Sequence, residues 1–316
     1  MRKYQPYIML LLLLLLPLFG LSTYMMHILI LVIMWSVIGM AWNLLGGYCG
    51  QVSFGHAAFF GVGAYTAGIL YFKTGISAWW GLPLSVVIVA AEALIIGFIC
   101  LRLRGPFFAL ATLAMGEVLR VTAENLRGFT QGALGILIKE RTWVEKTWYY
   151  YIIVLIAVGA FVLVKKIIES KLGYYFVAIR EDQDAAESLG INTTLYKTIA
   201  LTISAVLTGI AGAFYTNYMG YIDPEIVFAL HDISIITIMV VMVGGVATYW
   251  GPVVGAVIMV LLAELIRSLP RIGTAHQTLF GILLILIIIF LPNGIVGDYP
   301  KIKRVLRFRR RVGTTS

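Results

Sequence analysis

Residues 47–65 read "GYCGQVSFGHAAFFGVGAY". Five of these nineteen residues are glycine, and Gln51, Ser53 and His56 stand among them. The stretch lies inside residues 4–72, which contain no Asp, Glu, Lys or Arg. Glycine has two uses in lipid. It lets helices approach closely where small residues and packing drive association. It also lets a helix unwind, provided the freed backbone groups are buried in protein or line a wet cavity. Gln51, Ser53 and His56 are able to satisfy such groups or to touch a polar solute. Small-residue packing, through Gly50, Gly55 and Gly61, and a broken element beside a polar path are both open on these residues alone.

The rest of the chain fixes the solvent. Of 316 residues 60% are hydrophobic and 12% charged, about half the charged fraction of a soluble domain. Mean hydropathy is +0.94. Apolar stretches near the length of a bilayer crossing recur from end to end. The unbroken "LLLLLL" at 11–16 excludes the alternating strands of a membrane β-barrel. The class is an all-α polytopic membrane protein. Candidate spans lie at about 7–22, 24–45, 54–72, 82–101, 105–125, 148–165, 196–217, 233–249, 252–267 and 277–292. That is about ten helices, eight at the least, some short or broken. The start, "MRKYQPYIMLLLLLLPLFG", imitates a signal peptide, but further apolar segments follow at once, so a retained first helix is expected.

The net charge of +9 does not point to nucleic acid. Seven basic residues lie in "KIKRVLRFRRR" at 301–311, which reads as cytoplasmic anchoring reinforced by anionic lipid. Arg2 and Lys3, "RLR" at 102–104, the charged loop 166–195 and the basic tail 298–316 all fall on one side when the crossings between them are counted. Both termini are therefore expected in the cytoplasm. Arg267 and Arg271 fall on the other side, against the rule. The outer loop 126–147 carries Trp143 and is followed at once by Trp148, and both suit a membrane interface. Nothing resembles a separate soluble domain, and residues 1–316 read as one transmembrane domain. A faint echo of the glycine-rich 46–63 occurs in "GGVATYWGPVVGA" at 244–256, which puts Gly244 and Gly245 beside the first stretch as candidates for a central site.

The chain has no phosphate-binding G-x-x-x-x-G-K-[ST] and no H-E-x-x-H, and no Ser/His/Asp grouping stands out. No cofactor, metal or catalytic residue is expected, and any ATP must be spent by other subunits. Cys49 and Cys100 form no disulfide or metal pattern. Glu117 and Arg120 are three apart and share a helix face. A lone charge at the bilayer centre costs on the order of 3 kcal/mol, so a paired arrangement is expected, either lining a path or as an ion pair near the outer end. Glu92 and Glu264 have no partner close in sequence, and His27, His231 and His276 are given no role.

The inner loop carries the clearest pattern. "REDQDAAESLG" at 180–190 opens with Glu181, Asp182 and Asp184, which favour a helix N-terminus, and closes on Gly190, the residue preferred just past a helix end. Ala185, Ala186 and Leu189 share one side. A short cytoplasmic helix with a small apolar face suits the groove of another protein.

These stretches together resemble the membrane permeases of the branched-chain amino acid ABC importers, the longer of their two paired types. The matches run in order through "GQVSFGHAAFFGVGAYTA" (50–67), "RLRGPFFALATLAMGEVLR" (102–120), "TQGALGI" (130–136), "AIREDQDAAESLGI" (178–191), "GGVATYWGPVVGA" (244–256) and "LPNGIVG" (291–297). Ala247 stands where the family more often has glycine. The resemblance implies a permease subunit in a bacterial inner membrane, not an enzyme. Its partners would be a second permease in a heterodimer, two cytoplasmic ATPase subunits and an external solute-binding protein. It implies that Arg180, Glu181, Asp184, Ala185, Ala186, Leu189 and Gly190 belong to the ATPase-coupling loop. It implies that Gly50, Gln51, Ser53, Gly55, His56, Gly61, Glu117, Gly244 and Gly245 belong to the translocation path or its packing. Relatives for urea or amides leave the solute open. An ion-coupled transporter would instead need a relay of Glu92, Glu117 and Glu264, and a lipid-acting enzyme lacks a concentrated set of acid, base or metal residues.

Overall fold

A computed structural model of the chain describes residues 13–139, 146–267, 281–282, 285, 289 and 294–297. The span expected at about 7–22 is described from residue 13 on and that at 277–292 lies mostly outside these residues, while the basic tail, Trp143, Arg271 and His276 lie outside them. In chain order the principal helices are α1 (Thr23–Trp42), α2 (His56–Thr74), α3 (Gly81–Cys100), α4 (Pro106–Asn125), α5 (Lys146–Ile168), α6 (Lys171–Glu181), α7 (Gln183–Ser188), α8 (Thr193–Met219), α9 (Ile236–Gly244) and α10 (Gly251–Arg267). Among the described residues the sole ladder is an antiparallel pair, β1 (Ile136–Leu137) with β2 (Tyr221–Ile222).

Among the described residues, six segments are long and apolar enough to cross a membrane: Thr23–Tyr48, Ala78–Cys100, Pro106–Asn125, Lys146–Ile168, Thr193–Met219 and Pro224–Gly244. The all-α polytopic expectation holds, while the count of about ten is established only as far as these six. The helix α2 has the length, 19 residues, but is not among them. Its glycines and His56 dilute its apolar character, and most of it is buried against other helices rather than offered to lipid.

The helix α8 is the centre of the packing, with α2, α3 and α1 laid against it. Small residues allow this. A Cβ on Gly63 would stand 2.1 Å from the Gly209 carbonyl oxygen, and one on Gly212 would stand 2.0 Å from that of Phe60. Lipid supplies no hydrophobic drive between helices, so such backbone contact, together with the Thr216 hydroxyl donating to the Ala64 carbonyl, holds α2 to α8. A second, smaller core of Val240, Val243, Ala256 and Met259 joins α9 to α10.

The loops gather at two ends. At one, the 101–105 turn meets α7 through Arg104 and Asp184, α6 meets residue 47, and Asn43 meets the 247–248 turn. At the other, Lys73 donates to the Gly128 carbonyl, Asn217 to that of Ala78, and β1 pairs with β2. A depression of about 760 Å³ lies at this second end, between Tyr71, Phe72, Gln131 and Lys139.

Candidate functional site

The opening stretch is a helix break. After Trp42 the backbone widens into a π-helical segment, Asn43–Tyr48, Gly50 adopts φ +72°, and regular structure resumes only at His56. The freed backbone groups find partners within the protein, as they must in lipid. The Ser53 carbonyl accepts from the Trp42 indole at 2.8 Å, the Phe54 amide donates to Thr112 Oγ1 of α4 at 3.1 Å, and the Ala57 amide donates to Ser234 Oγ at 2.9 Å.

The polar side chains serve the same purpose. Ser53 is fully buried, and its hydroxyl accepts from the Gly55 amide. His56 is also fully buried and bonds Ser204 Oγ at 2.9 Å through Nε2. Ser204 gives its own proton to the Ala41 carbonyl, which makes His56 Nε2 the donor and leaves Nδ1 buried without a partner. The Gln51 side chain donates to the nearby Cys49 carbonyl at 3.4 Å. The hydrogen bonds of Ser53 and His56 are thus made inside the fold. Glycine packing is real at Gly61, where a Cβ would meet the Phe228 ring at 2.4 Å, and moderate at Gly55, where it would meet Thr112 at 3.2 Å.

The fold brings the two glycine-rich stretches together at the same end. Asn43 Nδ2 donates to the Thr248 carbonyl at 2.9 Å, and its Oδ1 accepts from the Ala247 amide at 2.8 Å. Gly245 carries φ +132°, and a Cβ on Gly244 would stand 1.8 Å from the Gly251 carbonyl oxygen. Ala247 adopts φ +54°, a conformation glycine reaches at no steric cost. Asn43 was missed by sequence reasoning, although an amide inside an apolar span is a signal.

The inner loop forms the short helix expected, with one correction. Asp182 is its N-cap, accepting from the Asp184 and Ala185 amides at 2.9 and 3.0 Å, and Gly190 follows it at φ +83°. Ala185 is exposed and Leu189 is 83% exposed, but Ala186 is only 2% exposed. The three do not present one face outward. The cause is a polar network that rolls α7 onto α8. Lys197, buried, reaches Gln183 Oε1. Gln183 Nε2 and Thr193 Oγ1 both donate to Glu187, at 2.9 and 2.5 Å. These two bonds hold the Glu187 carboxyl below the usual carboxylate range, Thr193 contributing most. Arg104 adds ion pairs to Asp184 at 2.7 Å and to Glu187 at 3.6 Å. Arg180 bonds Glu181 at 2.6 Å and turns one guanidinium nitrogen inward to the Gly47 carbonyl at 3.2 Å. Arg104, Gln183, Thr193 and Lys197 are functional candidates that the sequence reading did not single out.

On α4, Arg120 binds Glu117 through two nitrogens, at 2.5 and 3.0 Å, and also binds Glu124. The Glu117 side chain is half exposed. Glu264 accepts from the Tyr24 hydroxyl at 2.9 Å, and both Glu92 oxygens are buried without a hydrogen-bond partner among the described residues.

Comparison with known proteins bears on this arrangement. The family model described as branched-chain amino acid transport system / permease component matches residues 24–291. The high-affinity branched-chain amino acid transport system permease protein LivM of Salmonella typhimurium is 29% identical over 289 residues, covering 82% of this chain and 67% of that protein. Its namesake in Escherichia coli is 28% identical, covering 84% and 68%. The probable branched-chain amino acid transport permease protein LivM of Methanocaldococcus jannaschii is 22% identical, covering 84% and 91%. No solved structure matches the chain.

Proposed function

The chain belongs to the branched-chain amino acid transport permease family, and from that premise we propose that it is one membrane half of an ATP-driven importer of branched-chain amino acids. The observation that carries this reading is the family match over residues 24–291. Residues 1–316 act as a single permease domain of about ten spans in a bacterial inner membrane, with both termini in the cytoplasm. A second permease completes the pore as a heterodimer, two cytoplasmic ATPase subunits drive it, and an extracytoplasmic solute-binding protein delivers the solute. The chain itself hydrolyses nothing.

On this reading the end that holds α7 is cytoplasmic, and the ATPase contact is α7 with Leu189, Ala185 and Asp184 on its open side. Supporting it is Leu189, a large apolar side chain left 83% exposed on a loop helix. The helix break packs the cytoplasmic end of the path. The exposed face of α4, with Glu117, forms its wall. The depression near Tyr71 and Lys139 at the opposite end faces the solute-binding protein.

The test is reconstitution of the chain with its second permease, ATPases and binding protein in proteoliposomes. ATP-dependent uptake of leucine, isoleucine and valine above a panel of urea and amides is expected. Uptake driven by an ion gradient without ATP, or uptake of urea or an amide alone, defeats the reading.

A further inference from the structure

Two regions assigned to different tasks, the coupling loop and the helix break, meet at one side chain. We infer that Arg180 is a positioning residue that passes displacement of the α6–α7 hairpin to the break at Gly47–Gly50, and thereby to α9 and α10. The inference rests on the reading of α7 as the ATPase contact.

Contacts on both sides of the segment carry it. The Gly47 carbonyl, freed where α1 widens into the π-helical segment, accepts from Arg180 at 3.2 Å. The stem of Arg180 lies on Gly50 so closely that a Cβ there would stand 2.7 Å from Arg180 Cγ and 3.1 Å from its Cα. On the other side of the segment, a Cβ on Gly47 would stand 2.9 Å from the Ala247 amide nitrogen, and Asn43 bonds both Ala247 and Thr248. Residues 43–50 are thus held between Arg180 and the turn that joins α9 to α10. Packed elements of this kind shift between arrangements rather than deform continuously.

The input side is equally firm. Gln183, Glu187, Thr193 and Lys197 tie α7 to the first turn of α8, and Arg104 ties it to the 101–105 turn. The Arg180 guanidinium is anchored to Glu181 at the end of α6, so it travels with the hairpin. A push on the hairpin enters the break directly through Arg180, which bonds the Gly47 carbonyl, whereas the tie from α7 to α8 reaches the ends of the break by way of Ser204.

The experiment uses the complete reconstituted complex with Arg180→Met, Arg180→Lys and Gly50→Ala. Methionine keeps the apolar stem over Gly50 but removes the donor. For Arg180→Met the expected result is unchanged co-purification of ATPase subunits and unchanged ATP turnover, with solute moved per ATP reduced about tenfold. Arg180→Lys, which keeps a donor, should recover part of that ratio. Gly50→Ala, which drives a methyl group into the stem, should lower it as well, and adding Arg180→Met should make it no worse, since both act on one contact. A wild-type ratio in Arg180→Met overturns the inference. So does loss of the ATPases from that variant, because it would make Arg180 a docking residue while leaving the importer reading in place. Failure of the importer reading shows separately, as a wild-type complex without ATP-driven uptake, and takes the inference with it.

Discussion

Two consecutive twenty-residue helices, α3 and α4, both turn much of their surface outward, and they turn out different chemistry. From α3 the exposed residues include Leu84, Val87, Leu94, Ile95 and Phe98, all apolar, while Ser85, Val89, Ala93 and Gly97 face inward. The exposed stripe of α4 runs through Phe107, Leu110, Val118 and Val121, but it also carries Glu117, bound to Arg120. Glu117 stands eleven residues into α4, about 17 Å along it, far from either end of a span. Lipid suits the first stripe. It does not suit the second, because a charged side chain at that depth faces a cavity or another protein. Exposure in a single chain therefore marks two environments, and the polar content of the stripe tells them apart.

The sharpest way to break this comparison is by accessibility. With Cys49 and Cys100 replaced by alanine, single cysteines at Glu117 and Val118 on α4 should react with a charged, water-soluble thiol reagent. Cysteines at Ile95 and Phe98 on α3 should react slower by about three orders of magnitude, since the thiolate that reacts does not form in lipid. Equal rates on the two helices would erase the distinction.

Charge insertion gives a smaller effect of the same sign. Ile95→Arg puts a cation on the lipid face at a cost on the order of 3 kcal/mol, so the amount of chain recovered from the membrane should fall. Val118→Arg should cost roughly 1 kcal/mol or less, because water or protein is available there. Quantifying both variants in membrane fractions decides it, and equal losses would place α4 against lipid.

A third kind of exposed surface is Leu189, outside any span and so without lipid to cover it. Burying a leucine contributes about 2 kcal/mol. Leu189→Asp should weaken co-purification of ATPase subunits roughly thirtyfold while leaving the chain in the membrane. Retention of the subunits at wild-type level would remove α7 from the contact. Ala186→Arg would not be a clean probe, since Ala186 is packed inside the chain and an arginine there would disrupt the loop itself.

What was readable in the sequence follows the range of the interaction. The cap of Asp182 on Asp184 and Ala185, the turn at Gly190 and the pair Glu117–Arg120 all act within four residues, and spacing alone announces them. The glycines of 47–65 left a break and close packing both open, and the structure shows both, the π-helical segment Asn43–Tyr48 and the packing of Gly61 on Phe228. Asn43 was not readable, because its partners Ala247 and Thr248 lie more than 200 residues away. Nor was Arg104, whose partner Asp184 is 80 residues on. Ala186 shows the limit most clearly. The i, i+3, i+4 pattern says that residues share a side, but which side turns inward was settled by Lys197 and Thr193. The same holds for Ser53 and His56, whose polarity was visible and whose partners were not.

The smallest effect separates the two environments by its sign. Glu117, Arg120 and Glu124 form a cluster with one surplus negative charge. If the α4 stripe meets water, Glu117→Gln removes one arm of a partly exposed ion pair. Such a pair contributes about 1 kcal/mol or less, and Arg120 retains Glu124, so the unfolding midpoint in lipid nanodiscs should hold or fall slightly. If the stripe met lipid, the surplus carboxylate would be an unscreened cost, and neutralising it should raise stability by about 2 kcal/mol or more. A midpoint that holds or drops by a degree or two supports a wet or protein-covered α4. A clear rise would turn α4 into a second lipid face like α3, and the path wall would have to be sought on another helix.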